Sequence, residues 1–381
     1  MTAQAATATI SKRARPPWVD YAIGQVLAFL GALLLAGIIG SIIIIAYGES
    51  PLFVYQTIWN FSTSRPQDFA KVLEIATPLI FSGLAVAIAF KAGMFNIGVE
   101  GQYIVGMAAA AGAATGLPLP GVLLLVATIL AAMLAATAWA AVPAVLKVKT
   151  GAHEVVTTIM MNGIALSLVA WALRNPIRSA EQLQVDLRSD LFPDNALVPS
   201  IASTLGIEDL IPPSVHFTWL FPFALLACFG VWFLLYRTRL GYDTRAVGSS
   251  AGSAEAGGIS IGATQIKIFL LSGALAGLVG LNHILGDKGY FGATYVSGLG
   301  FAGITVAFLG RNHPWGIPLA AILIGMLQRG QDGIQVTTNL PTEVLIILEG
   351  VLILSVVVAY ELVSRILRRR QSQLSGQEAP A

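Results

Sequence analysis

Long stretches of this chain carry no Asp, Glu, Lys or Arg. They cover residues 21–47, 77–90, 101–146, 155–173, 217–236, 268–286, 289–310, 312–328 and 350–360. Crossing the hydrocarbon of a bilayer takes roughly 20 apolar residues at 1.5 Å each. With their flanks, these runs reach spanning length. The longest, 101–146, is broken by Pro118 and Pro120 in a Gly-Leu-Pro-Leu-Pro turn and counts as two. The pattern therefore predicts an all-α polytopic helix bundle of about ten transmembrane spans. Their bounds are 20–47, 72–91, 97–116, 120–146, 154–173, 216–236, 264–286, 290–310, 313–329 and 343–366. The third, eighth and ninth are Gly-rich, which leaves open whether they cross or are re-entrant.

Composition removes the alternatives. Of 381 residues, 56% are hydrophobic and 11% are charged, against about 25% charged in a soluble domain. That is too little charge for an ordinary cytosolic enzyme, a disordered chain or a nucleic-acid binder. The net charge of +2 names no partner. The lone Cys228 lies in an apolar run, so neither an internal disulfide nor a thiolate metal cluster can form.

Lys and Arg set the orientation. With the N-terminus inside, ten spans put fifteen of the 22 basic residues on the inner side, from Lys12, Arg13 and Arg15 to Arg365, Arg368, Arg369 and Arg370. Both termini are then cytoplasmic. The expected organisation is a disordered N-terminus (1–17), a transmembrane domain (18–368) and a cytoplasmic tail (369–381). The first span is too long for a signal-peptide core. Three loops stand out. Residues 48–71 lie outside, with Trp59 and Phe61 at the interface. Residues 174–215 form the largest outer loop, where short helices should cap the mouth. Residues 237–263 form the largest inner loop.

Spans two to five begin outside and spans seven to ten begin inside, as an inverted repeat requires. The second span of each block is approached through glycines, in Lys91-Ala-Gly-Met-Phe-Asn-Ile-Gly-Val-Glu-Gly-Gln102 and in Gly289–Gly303. Gly and polar interruptions at matching places point to a substrate pathway. Close helix packing explains the same glycines, and both can hold at once.

Other motifs are less informative. Gly298-Leu-Gly-Phe-Ala-Gly303 matches G-x-G-x-x-G but lacks the strand, the helix and the following acidic residue of a dinucleotide site. Like Gly273-Ala-Leu-Ala-Gly277, it reads as a helix contact. No Walker A loop is present, so an ATPase that drives this chain is a separate polypeptide. His153, His216, His283 and His313 have no metal-ligand spacing. Ionisable and amide groups within spans are costly and point to function. Glu100 stands with Asn96 and Gln102 at the broken start of span three. Glu154, Thr158 and Asn162, four apart, form one stripe that should face a water-filled path or another helix. Glu349 and Glu361 are isolated, and no acid relay of the kind a proton-driven carrier needs is visible. In the inner loop, Ser249–Ala256 is rich in small residues. It should form a short helix ended by Gly257-Gly258 and suited to a partner's cleft.

Four segments together carry a resemblance. KAGMFNIGVEGQ (91–102), GAHEVVTTIMMN (151–162), GYDTRAVGSSAGSAEAGGI (241–259) and GFAGITVAFLGRNHP (300–314) resemble the permeases of bacterial ABC importers. The class is the branched-chain amino acid/ribose group, in its nucleoside and simple-sugar subgroup. The resemblance spans residues 20–365. It implies a multi-pass protein of the bacterial inner membrane, without a cofactor or metal of its own, paired with a second permease subunit. A separate ATP-binding cassette ATPase, often two domains in one chain, would dock on the inner loop. An extracytoplasmic binding protein, often a lipoprotein, would deliver cargo. By position, Arg245, Gly248, Ser253, Ala254, Glu255 and Gly258 fall in the segment resembling the coupling helix. Asn96, Glu100, Gln102, Thr158 and Asn162 fall in the segments resembling the translocation region. The expected mechanism is alternating access for a neutral nucleoside or sugar. A secondary carrier for a small polar solute is the rival, told apart by uptake without ATP hydrolysis. A membrane-embedded enzyme would need a catalytic cluster that the residues do not supply.

Overall fold

The computed structural model describes residues 17–179 and 187–338, then 340, 341, 343, 344, 346–351, 354, 355 and 358. The terminal stretches expected to be disordered, and most of the tenth span, lie outside these residues. Among the described residues the protein is helical, with isolated bridges between Arg188 and Gly292 and between Ser200 and Thr218.

The chain divides into two units. One joins residues 1–48 to 346–381 and contains α1 (Pro17–Ala46). The other, Glu49–Leu345, contains α2 (Pro51–Thr63), α3 (Pro66–Lys91), α4 (Val99–Gly116), α5 (Val122–Thr150), α6 (Glu154–Arg174), α7 (Ile201–Leu205), α8 (Leu220–Arg237), α9 (Arg239–Ser249), α10 (Ala251–Ala256), α11 (Ile261–Ala276), α12 (Leu299–Leu309) and α13 (Gly316–Thr337). A π-helical segment, Asn282–Lys288, follows α11. Among the described residues, α3, α5, α6 and α8 are each long and apolar enough to cross a membrane unaided.

Past its charged first turns, helix α3 is apolar and nearly all buried from Ala76 to Ala89, at the centre of the second unit. Its apolar window is 78% buried, against 22–28% for α5, α6 and α8. It packs on α8, α11, α12 and α13, while α11 packs in turn on α5. The contacts are close because small residues meet there. Gly273 and Gly277 of α11 press on Ala140, Ala132 and Met133 of α5, and Gly303 of α12 presses on Ser82 of α3. Both glycine motifs thus act as helix contacts. Helix α6 separates its faces: Ile159, Met160, Ile164, Leu168 and Trp171 are exposed, and Glu154, Thr158, Asn162, Ala165, Val169 and Leu173 are buried.

Four features depart from the expected spans. The 48–71 loop contains α2, whose Ile58 and Phe61 pack on Gly330 and Gly333 of α13, while Trp59 is exposed. The eighth span shrinks to α12, because Gly289 (φ 67°) and Gly298 (φ 90°) hold backbone that a helix cannot use. Helix α13 runs on to Thr337, so Arg329 lies within it, paired with Asp68 at 3.3 Å and Asp332 at 2.7 Å. In the outer loop, one 3₁₀ turn (Asp194–Ala196) and α7 are the described helices.

Candidate functional site at the meeting of two broken helices

Helix α3 stops at Lys91, Gly93 turns the chain with φ 71°, and α4 resumes at Val99. The gap is held by its own polar side chains. Asn96 is fully buried and accepts from the Gly98 N–H at 3.0 Å. Its amide donates to Gln102 Oε1 (3.0 Å) and Ser272 Oγ (2.8 Å), and Gln102 Nε2 donates back to Asn96 Oδ1 (3.0 Å). Ser272 passes the link to the Ala85 carbonyl of α3 at 2.6 Å. A new helix start leaves its first N–H groups without partners. Here Asn162 of α6 reaches across: Oδ1 accepts from the Gly101 N–H at 2.9 Å, and Nδ2 donates to the Ile97 carbonyl at 3.0 Å. The polar stripe of α6 therefore faces another helix's broken end. Thr158 bonds its own helix, donating to the Glu154 carbonyl at 2.7 Å, and Glu154 pairs with Lys147 at 2.7 Å. Asn162→Leu should strand two buried backbone groups, each costing about 1–3 kcal/mol. A clear fall in the thermal unfolding midpoint of the purified protein is expected, and unchanged melting would refute this bracing role.

Glu100 joins the two halves of the chain. Its Oε1 accepts from the Gly298 N–H at 2.7 Å and its Oε2 from the Gly300 N–H at 2.8 Å. Both donors belong to the unpaired start of α12. The Tyr103 hydroxyl lies 3.0 Å from Glu100 Oε1 and 2.8 Å from the Val296 carbonyl, and Ser82 Oγ donates to the Leu299 carbonyl at 2.9 Å. Gly300 lets the backbones touch, since a Cβ there would run into the Glu100 backbone. A helix N-terminus carries about half a positive charge. Glu100, only 6% exposed, places its carboxylate where the N-termini of α4 and α12 meet. The arrangement is electrostatically complete within the chain and offers no bare anion site.

The inner loop folds as two short helices with a kink at Ser250, whose side chain accepts from the Ser253 N–H at 3.3 Å. Gly257 and Gly258 (φ 81°) end α10. Ser253, Glu255 and Gly258 are exposed, whereas Ala254 turns inward and is 4% exposed. An open groove of about 820 Å³ runs between α9, α10 and α11, with Asp243, Ser253, Gly257 and Lys267 among its walls. Gly248 is not a groove residue. It presses on the end of α3, where a Cβ would collide with the Lys91 carbonyl. The Arg245 guanidinium lies 5.1 Å from the Tyr236 ring, which in turn lies 5.8 Å from the His313 ring in the α12–α13 turn.

A second cavity, of about 470 Å³, lies between the first half of α3, the π-helical segment and the start of α12. Glu74, Asn282, His283, Asp287 and Gln328 are among its walls. These residues converge from sequence positions more than 200 apart, and no local pattern marks them as a group.

Residues 69–357 match the profile of the family described as branched-chain amino acid transport system / permease component. The glucose ABC transporter permease protein TsgB13 of Haloferax volcanii is 32% identical over 345 residues, 90% of this chain and 88% of its own. The guanosine ABC transporter permease protein NupP of Bacillus subtilis is 32% identical over 341 residues, 89% and 94% of the two chains. The nucleoside ABC transporter permease protein NupB of Lactococcus lactis subsp. cremoris is 29% identical over 340 residues, 88% and 92%.

Proposed function

This chain belongs to the permease-component family of branched-chain amino acid transport systems, and from that premise we propose that it moves a neutral nucleoside or simple sugar inward. The family match over most of the chain is the observation that carries this. It is a multi-pass membrane transport subunit and not itself an enzyme; ATP hydrolysis belongs to a separate ATPase. The relatives named for glucose, guanosine and nucleosides support an uncharged, hydroxyl-bearing cargo. We place ten spans in the membrane with both termini inside, a second permease alongside, and a binding protein at the mouth formed by 174–215. The packing of α3 on α13 and of α11 on α5, with α3 against α11, supports an inverted repeat in which α4 and α12 are equivalent broken helices.

In this mechanism the ATPase grips α10 and the groove beside it. Closing of the ATPase shifts α9, which touches the end of α3 directly and reaches the turn after α12 through Tyr236 of α8. The Glu100 junction at the starts of α4 and α12 is where the two halves part and rejoin. Asn96, Gln102 and Asn162 keep the broken helix ends satisfied through that motion, and Thr158 packs beside Gly98.

The test is uptake by the assembled transporter in sealed vesicles. Labelled nucleosides and sugars should accumulate only when hydrolysable ATP is present on the ATPase side. Uptake driven by an ion gradient without ATP would establish the secondary-carrier reading instead. Within the same assembly, Glu255→Arg reverses an exposed charge on α10. It should weaken co-purification of the ATPase and lower uptake about tenfold, the scale of losing roughly 1.4 kcal/mol of binding. Wild-type co-purification would remove Glu255 from the docking surface.

A further inference from the structure

We propose that the 470 Å³ cavity against the start of α12 is the receiving site for the cargo, with Asp287 and Gln328 as its recognition residues. The proposal rests on the transport reading above and extends it to a place and a pair of side chains.

The volume lies within the roughly 300–1,000 Å³ of small-molecule sites. Its charges balance: on one wall Lys71 pairs with Glu74 at 2.7 Å, and on the other Lys288 stands 3.6 Å from Asp287. A balanced polar cavity suits an uncharged cargo rich in hydroxyls. The wall groups differ in what they have left to give. Glu74 is committed to Lys71 at 2.7 Å and to the His216 N–H at 2.9 Å. Asn282 Oδ1 accepts from Thr218 at 2.8 Å. Asp287 has ion-pair neighbours but no close hydrogen bond. His216, His283 and Lys288 stand 3.5, 3.5 and 3.6 Å from its oxygens, beyond ordinary hydrogen-bond length. Gln328 is half-buried, and its carboxamide bonds no described group. A carboxylate whose oxygens hold no close hydrogen bond can accept two adjacent hydroxyls, and a carboxamide both donates and accepts. Together they offer complementary partners to a sugar ring.

The backbone around the cavity is unusual in the same sense. Asp287 is carried by the π-helical segment, and such bulges occur frequently at functional sites. Pro78 within α3 brings no N–H to the Glu74 carbonyl, which leaves an acceptor in the wall. Val296 and Leu299 close the remaining side. Their carbonyls are those held by Tyr103 and Ser82 beside the Glu100 junction. Cargo in the cavity therefore rests on the element that must move for it to pass.

The experiment uses the full transporter in vesicles, with a panel of labelled nucleosides and aldoses. Asp287→Asn and Gln328→Leu should each raise the half-saturating cargo concentration about tenfold or more. In parallel, Thr294→Cys puts a thiol in the exposed wall of the cavity; the native Cys228 is fully buried and stays silent. A membrane-impermeant thiol reagent should modify it, and saturating cargo should slow that reaction several-fold. The labelling arm stands even where a substituted chain fails to assemble at Asp287. Wild-type uptake of no nucleoside or aldose would overturn the transport reading. Wild-type uptake with unchanged half-saturation in both variants, together with a thiol that cargo does not protect, would overturn the site alone.

Discussion

Glu100→Ala should abolish most uptake and lower the stability of the permease, and Glu100→Gln should do nearly as much harm. The carboxylate accepts one N–H on each oxygen, from Gly298 and Gly300. Hydrogen bonds to a charged group are worth about 1.5–3 kcal/mol each. Losing both, with water replacing part of the loss, leaves about 3 kcal/mol, a factor on the order of 100 in how often the junction is closed. Glutamine keeps the shape but turns one acceptor into an amide NH2 donor, which would face an N–H donor. Aspartate is shorter by one methylene and cannot reach both donors without moving α4. The expected order is Glu above Asp above Gln and Ala, in uptake rate and in melting temperature alike. Glu100→Gln with wild-type uptake would show that the carboxylate is only a local cap and not the joint between the halves.

Much of the fold was legible because the bilayer forces a simple pattern. Helices α3, α5, α6 and α8 follow charge-free runs whose ends are marked by Lys91, Lys147, Arg174 and Arg237. The stripe of Glu154, Thr158 and Asn162 was readable from its four-residue spacing, and so was the broken lead into α4. What was not legible is long-range. Glu100 and its two donors are 198 and 200 residues apart, and no periodicity links them. Helix α2 was missed because Gln56, Asn60 and Thr63 interrupt a run of 13 residues, too short to announce a span. The π-helical segment has no composition of its own. The Lys71, Glu74, Asp287 and Lys288 group was divided between apparent loop ends, although the fold brings these charges around one cavity. The contact of Gly248 with Lys91, 157 positions earlier in the chain, is of the same long-range kind.

Gly248→Ala should uncouple the transporter, leaving ATP hydrolysis running while cargo movement falls tenfold or more. Helix α9 touches both halves of the membrane domain. At Gly248 it meets the Lys91 carbonyl so closely that no Cβ fits. Through Arg245 and Tyr236 it reaches His313, just past the end of α12. Between these points Phe90, Phe95 and Phe308 form one aromatic cluster, with ring centres 5.6–6.3 Å apart. A push on α9 therefore acts on the end of α3, on the segment leading to α4 and on the end of α12 together. Packed interfaces of this kind have discrete arrangements rather than a continuous range. The blocking atom is a backbone oxygen at a helix end, which cannot rotate away as a side chain would. Alanine must lift α9 from α3 by something on the order of an ångström, which breaks the contact while leaving the exposed α10 surface intact. Docking and transmission then separate: Glu255→Arg should lose the ATPase, whereas Gly248→Ala should keep it and lose the work. The decisive measurement is cargo moved per ATP hydrolysed by the reconstituted assembly, alongside Gly230→Ala, the same substitution at a glycine of α8 with open space around it, as control. A wild-type ratio in Gly248→Ala would mean that force enters the membrane domain by another contact, and the groove beside α11 would be the next place to look.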